Sequence, residues 1–428
     1  MRIAFISYEY PNNSHSGGIG TYIHQTSNLL ADRGHDITVF TCGKRSSYVT
    51  DRGVNIIEVE EFDRRDFAIS AAQAFLPLHK KNPFDVIEAP DYNADGRKIK
   101  KIFPELPYLL RMHAPTELIT TNSSKRGLFK ELTRIKNDII SIINYKIFKR
   151  QSQIHFQSTI KYYHTYIQNK IERKEAVKAD IVVCPSLKIK NYTVDRWKIN
   201  SEKVIHSPNP YIPCEQLLSM PSVSKNEKLC VGFVGRICYL KGIDMVAQAI
   251  PLVLKRYPNI TFCFVGAIVK EQDSGLPYDE WMKRKLPSYA NNLIFTGRVN
   301  LEKVHAMYSK MDIVLVPSVY DNFPTVCLEA MSAARPVIGT RSGGMEEMIT
   351  HEENGLLIEY GDHKELARQI IKLCDSSNSE FRSKLGKRAR SSIINRYNSK
   401  RMGKELESLY KKAIRVQNVG SRSTVRSF

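Results

Sequence analysis

The chain has 428 residues, of which 42% are hydrophobic and 25% charged, a globular composition too long for one ordinary core. No apolar run approaches the roughly 20 residues of a membrane span, which excludes a helical membrane protein. The net charge of +20 points to a polyanionic neighbour, a membrane surface or nucleic acid, and carries no information on fold. The cysteines (Cys42, Cys184, Cys214, Cys230, Cys238, Cys263, Cys327 and Cys374) include no C-x-x-C pair and read as small core residues in a reducing compartment. The opening MRIAFISYEY carries too short an apolar run for a signal peptide, with Glu9 close behind.

Arg2 to Ser7 reads as a first strand, and a Pro- and Asn-rich loop leads to Gly17-Gly18-Ile19-Gly20 and a helix from Thr21 to Arg33. Ile37 to Thr41 is the next strand. The glycine loop is not a dinucleotide fingerprint, because Gly18-x-Gly20 would need a third Gly where Ile23 stands. On the residues alone it is a tight turn between strand and helix. Val54 to Val59 and Phe84 to Glu88 read as strands around a helix from Phe67 to His79, and Tyr108 to Arg111 as another, followed by His113. Thr121 to Lys178 reads as helical and basic, with 13 Lys and Arg against 4 Asp and Glu. Within it, Asp138 to Arg150 puts Ile139, Ile140, Ile143 and Ile147 on one face among Lys and Arg, a basic amphipathic helix.

Ala179 to Ser186 and Val204 to Ile205 return to strand. Pro208, Pro210, Pro213 and Pro221 mark a linker over 208–228, dividing a domain at 1–207 from a second at 229–380. The second opens with the strand Cys230 to Gly235, then Arg236, Lys241-Gly242 and a helix from Asp244 to Tyr257. Ile260 to Gly266 and Leu293 to Arg298 are further strands. Ile313 to Val316 is an apolar, β-branched run read as a buried parallel strand. Beyond it a loop carries Tyr320, Asp321, Asn322 and Phe323, and Pro324 suits the first position of a helix. Glu329 lies roughly 7.5 Å further along that helix axis than Pro324. A loop at the carboxyl end of a strand and the amino end of a helix is where open α/β sheets bind ligands, anions above all. Pro336 to Gly339 and Leu356 to Glu359 complete the strands. Helices Lys364 to Cys374, Phe381 to Tyr397 and Ser399 to Arg415 follow, those in 381–415 expected to cross back to the first domain, and the tail 416–428 is expected to be disordered.

PSVYDNFPTVCLEAM resembles the donor-site signature of the family-4 retaining glycosyltransferases of the GT-B fold, two acids with seven residues between them. GGIGTYIHQTSNLLADRGHDITVFT resembles that family's first loop and helix, and GRICYLKGIDMVAQAI its donor-phosphate segment. The resemblance covers most of the chain and implies an α/β fold, two doubly wound Rossmann-like domains facing a central cleft. It implies transfer of a sugar from a nucleoside diphosphate sugar to an acceptor hydroxyl with retained configuration. In that scheme Gly18 N–H, Arg236, Lys241 and the helix start at Thr325 stabilise the diphosphate, with Asn322, Phe323 and Pro324 beside it. Val299 contacts the base through its backbone, Glu329 holds the ribose diol, and His113 and Asp321 touch the transferred sugar. Apart from the resemblance, Glu88 in VIEAPDYNADG ends a strand and is a candidate to line the acceptor side. Asp321 departs from the usual Glu, and Ala334 stands where a Gly is frequent.

No cofactor and no metal are expected, since the chain has no Asp-x-Asp and no His/Cys cluster at ligand spacing. The expected partners are the donor and a saccharide or lipid-linked acceptor, in lipid-linked saccharide, lipopolysaccharide or surface polysaccharide synthesis. An anionic membrane surface is a further candidate partner and nucleic acid is not expected, so the implied location is cytoplasmic and peripheral at the inner membrane face. Two other readings stay open: a GT-B nucleotide-sugar epimerase, and a basic nucleic-acid-binding or DNA-glucosylating protein.

Overall fold

Apolar runs buried on both faces build two separate sheets in the computed structural model, which describes residues 1–11, 17–44, 46–60, 64, 66–113, 115–123, 153–222 and 228–425. The expected amphipathic helix at 138–150 lies outside the described residues. The chain divides into two units: Met1–Cys184, Lys190–His206 and Glu407–Phe428 form the first, Pro185–Ile189 and Ser207–Leu406 the second.

The first unit holds β1 (Arg2–Ile6), β2 (Asp36–Gly43), β3 (Ser47–Asp51), β4 (Val54–Glu60), β5 (Val86–Pro90), β6 (Tyr108–Arg111), β7 (Ile181–Cys184) and β8 (Val204–His206). Their order is β3-β4-β2-β1-β5-β6-β7-β8. All neighbours are parallel except β3 and β4. β5 and β7 are buried at every position, as strands covered on both faces must be. Phe40, Phe75 and Phe84 pack ring against ring beside them.

The second unit holds β9 (Cys230–Val234), β10 (Thr261–Val265), β11 (Leu293–Gly297), β12 (Ile313–Val316), β13 (Val337–Thr340) and β14 (Leu356–Ile358), all parallel, in the order β11-β10-β9-β12-β13-β14. Helix His363–Cys374 buries Leu366, Ala367, Ile370 and Leu373, an i, i+3/i+4 stripe, in the same core as Phe233, Phe262 and Leu315. The strand order reverses between β1 and β5 in the first sheet and between β9 and β12 in the second. Loops leaving the carboxyl ends of those pairs part there and open a crevice.

Three features differ from the sequence reading. β3 is an added antiparallel edge strand with four of its five residues exposed, so it has no apolar alternation to reveal it. Helix Ser379–Arg396 belongs to the second unit, where a Cβ on Gly386 would lie 2.1 Å from the Ala334 carbonyl oxygen; the return to the first unit begins only at Glu407. The tail is not disordered at its start, because the last helix runs from Ser399 to Val425.

Candidate active site

Three neighbouring strands of the second sheet end on glycines in left-handed or otherwise positive φ: Gly235 (φ +133), Gly266 (φ +140) and Gly297 (φ +67). A Cβ on Gly266 would lie 2.1 Å from the Gly235 carbonyl oxygen, so that contact excludes any larger residue. Arg236 follows Gly235 and is exposed, while Val299 follows β11 and is half-buried.

The loops leaving β9 and β12 are joined by backbone contact. Lys241 closes a 3-10 turn, Tyr239–Lys241, and Gly242 (φ +76) starts helix Ile243–Arg256. A Cβ on Gly242 would lie 1.8 Å from the Pro317 carbonyl oxygen, and Val319 N donates to Leu240 O at 2.9 Å. This contact brings Lys241 Nζ against Asp321 Oδ2 in an ion pair. Thr340 Oγ1 and Ser342 Oγ donate to Ser318 O at 2.6 and 3.0 Å. Gly343 (φ +58) and Gly344 close the loop from below: their Cβ atoms would lie 1.8 Å from Asp321 O and 2.2 Å from Asn322 O.

Asn322 is buried, and its Oδ1 accepts from Ser186 Oγ at 2.6 Å. Phe323 is half-buried, Pro324 is buried and serves as N-cap rather than first helical residue, and Thr325 opens helix Thr325–Ser332. Glu329 is 8% exposed and its Oε2 accepts from Tyr308 OH at 2.9 Å; Oε1 accepts no hydrogen bond among the described residues. Burial raises the Glu329 carboxyl above its ordinary 4.5. Ala334 adopts φ +53, the left-handed conformation that makes glycine frequent at such a helix end.

Arg236, Lys241, Asp321, Asn322, Phe323, Pro324, Thr325 and Glu329 therefore collect around the β9–β12 reversal, and Val299 lies two strands away. The arrangement offers two cations and an uncapped helix start to an anion, with a carboxylate oxygen for a pair of hydroxyls. Among the described residues no group of His, Cys, Asp and Glu could hold a metal ion.

Gly18 and His113 belong to the first unit. Gly18 is the first residue of helix Gly18–Ala31, which has no side-chain cap, and a Cβ there would meet nothing within 4 Å. The fold itself does not demand this glycine. His113 is half-buried, its N–H donates to Asp91 Oδ1 at 2.7 Å, and its ring stands edge-on to Tyr22. Burial, aided by the Arg111 guanidinium, lowers its imidazole to about 3, so the ring is neutral near pH 7.

Glu88 must be reassigned. It is fully buried, accepting from Tyr22 OH at 2.5 Å and Tyr410 OH at 2.6 Å, with Arg111 Nε at 3.5 Å. It is a core group and lines no acceptor site. The sequence reading also missed Asp91, Asp95 and Glu172. Glu172 accepts from Asn93 N, Thr116 N and Oγ1, and Gln168 Nε2, joining the loops after β5 and β6. The polar run Asp91-Tyr92-Asn93-Ala94-Asp95 directly after a strand was the available signal; for Glu172 there was none.

The family described as Glycosyl transferases group 1 matches residues 218–392, and that described as Glycosyltransferase Family 4 matches 16–212. An uncharacterized glycosyltransferase of Methanocaldococcus jannaschii is 26% identical over 433 residues, spanning 97% of this chain and 99% of its own. The capsular polysaccharide biosynthesis glycosyltransferase CapM of Staphylococcus aureus is 25% identical over 185 residues, 43% of this chain and 46% of its own. The structure of Anabaena HepE in complex with UDP-glucose shares the fold at a TM-score of 0.68 and 17% identity, covering 95% of this chain and 98% of that one.

Proposed function

We propose, from the premise that this chain belongs to the family-4 glycosyltransferases of the GT-B fold, that it transfers a hexose from a uridine diphosphate sugar to an acceptor hydroxyl with retained configuration and without a metal. The observation that carries the donor reading is Glu329, a buried carboxylate oriented by Tyr308 with one oxygen left for a ribose diol. Support for the uridine base comes from the UDP-glucose held by HepE, a protein of the same fold.

In the free chain Lys241 is paired with Asp321. The donor diphosphate takes over Lys241, assisted by Arg236 and by the N–H groups at Thr325, and Asp321 is released toward the sugar hydroxyls. As the bond to the sugar breaks, these groups stabilise the charge that builds on the diphosphate. The leaving diphosphate oxygen accepts the acceptor proton. His113, neutral in the first unit, can hydrogen-bond a hydroxyl without adding positive charge.

Acceptors in surface polysaccharide or lipid-linked saccharide synthesis follow from the likeness to CapM and from the net charge of +20, which suits an anionic membrane surface. No helix among the described residues is long and apolar enough to cross a membrane. Titration calorimetry with UDP tests the donor site. Glu329→Ala should weaken binding by about 1.5–3 kcal/mol, and binding should also fall with pH from above the ordinary carboxylate range as Glu329 protonates. Equal affinity of wild type and variant removes Glu329 from the site. Loss of transfer in a chelator, restored by magnesium or manganese, would refute the metal-free mechanism.

A further inference from the structure

Cys214 and His305 lie outside the residues assigned above. Cys214 precedes the short helix Glu215–Leu218, His305 sits in helix Leu301–Tyr308, and Cys214 Sγ is 3.3 Å from His305 Nδ1. Six of the eight cysteines are buried; Cys214 and Cys238 are half-buried. Both members of the pair are held by fixed neighbours three positions away. Tyr211 OH is 3.1 Å from Ser332 Oγ, and Tyr308 OH donates to Glu329 at 2.9 Å. Burial lowers the His305 imidazole below its ordinary 6.5, which keeps the ring uncharged near neutral pH and weakens it as a base; the 3.3 Å contact is what places it to take the thiol proton. The nearest acidic residues in sequence, Glu215 and Glu302, are exposed. A thiol within hydrogen-bond reach of a neutral imidazole, partly open to solvent, is the arrangement of an activated nucleophile.

We propose that Cys214 and His305 form a nucleophile–base pair that makes Cys214 the reactive thiol of this chain, taking the disulfide of a small thiol such as glutathione. His305 Nδ1 accepts the Sγ proton as the thiolate attacks one sulfur of the disulfide. That S–S bond breaks and a new one forms to Cys214. The other half leaves as a thiolate and takes the proton from His305. Cys214 is oxidised to a mixed disulfide, and the reagent is reduced by the same two electrons.

The probe is iodoacetamide, limiting, applied to the full chain near neutral pH in the presence of free glutathione, with each thiol followed by peptide mass spectrometry. Partial burial alone makes a thiol slower than free glutathione, so rate above that reference reports activation. Cys214 should label about tenfold faster than glutathione, and His305→Gln, which can hydrogen-bond but not take the proton, should remove the advantage. With glutathione disulfide in place of iodoacetamide, the wild type should gain one glutathionyl group, at Cys214. Labelling of Cys214 no faster than free glutathione overturns the proposal. So does an unchanged rate in a His305→Gln protein that melts like the wild type. If that variant melts early, the wild-type rate against glutathione decides.

Discussion

The two sheets secure the loops at their carboxyl edges by different chemistry. In the second unit glycines let backbone press on backbone: Gly242 on Pro317, Gly266 on Gly235, Gly343 and Gly344 on Asp321 and Asn322. In the first unit buried carboxylates reach between loops. Asp91 takes His113 N, Asp95 takes Tyr8 N and Arg64, and Glu172 takes Asn93 N and Thr116 N. Glu172 also holds a turn in which Asn93 (φ +61) and Ala94 (φ +50) are both left-handed without being glycine. A glycine contact leaves no charge behind, and an edge proposed to receive a diphosphate gains from that. Its two acids fit the same logic, since Asp321 is neutralised by Lys241 and Glu329 has a raised pKa.

Four experiments break or sharpen this contrast. The largest effect should come from charge in the first unit: Glu88→Ala removes the anion facing buried Arg111 and should cost about 3–5 kcal/mol. The chain has two tryptophans, Trp197 in the first unit and Trp281 in the second, so urea unfolding can be followed by Trp197 fluorescence in a Trp281→Phe background. A Glu88→Ala protein that unfolds like its parent would deny that charge holds this unit. Next, Gly343→Ala must place a Cβ 1.8 Å from Asp321 O at a positive φ. It should destabilise the second unit by about 2–3 kcal/mol, read from Trp281, and abolish UDP binding. Unaltered UDP affinity would show that the loop does not depend on the contact.

The third effect is a pH dependence. His113 falls from 6.5 to about 3 on folding, so its stabilising neutrality is intact above 6.5 and is lost as pH drops from there toward 3. Thermal melting of His113→Gln should therefore fall less steeply than wild type across that window; parallel curves would mean an exposed imidazole. The smallest effect runs the other way. Ala334→Gly relieves the left-handed alanine (φ +53) and should stabilise the second unit by about 1 kcal/mol in urea.

What could be read from the sequence follows the same division. The donor-side loop was legible because Pro317 to Glu329 is contiguous and carries both acids and the helix start, although the glycines that pack against it, Gly242, Gly343 and Gly344, come from the neighbouring loops after β9 and β13. The first unit's edge was not, because its holding groups come from far along the chain: Glu172 is 79 residues from Asn93, and Tyr410 is 322 from Glu88. A carboxylate ending a strand looks alike whether it meets a ligand or a buried arginine, which is why Glu88 was misjudged. The Ser- and Arg-rich tail looked disordered by composition. Its start is helical because Leu406, Leu409, Tyr410 and Ala413 are buried in the preceding turns, and a helix already nucleated extends at little cost.

That last helix also sets the order in which the protein can be completed on the ribosome. The first unit takes Glu407–Phe428 as its final piece, and Tyr410 closes over Glu88 from 322 residues downstream. While the second unit is being synthesised, the first therefore waits with the Glu88–Arg111 pair partly uncovered. Synthesis at about 5–20 residues per second keeps that incomplete state exposed for tens of seconds. Chains truncated near their end should lose stability at their beginning, where Tyr410 meets Glu88.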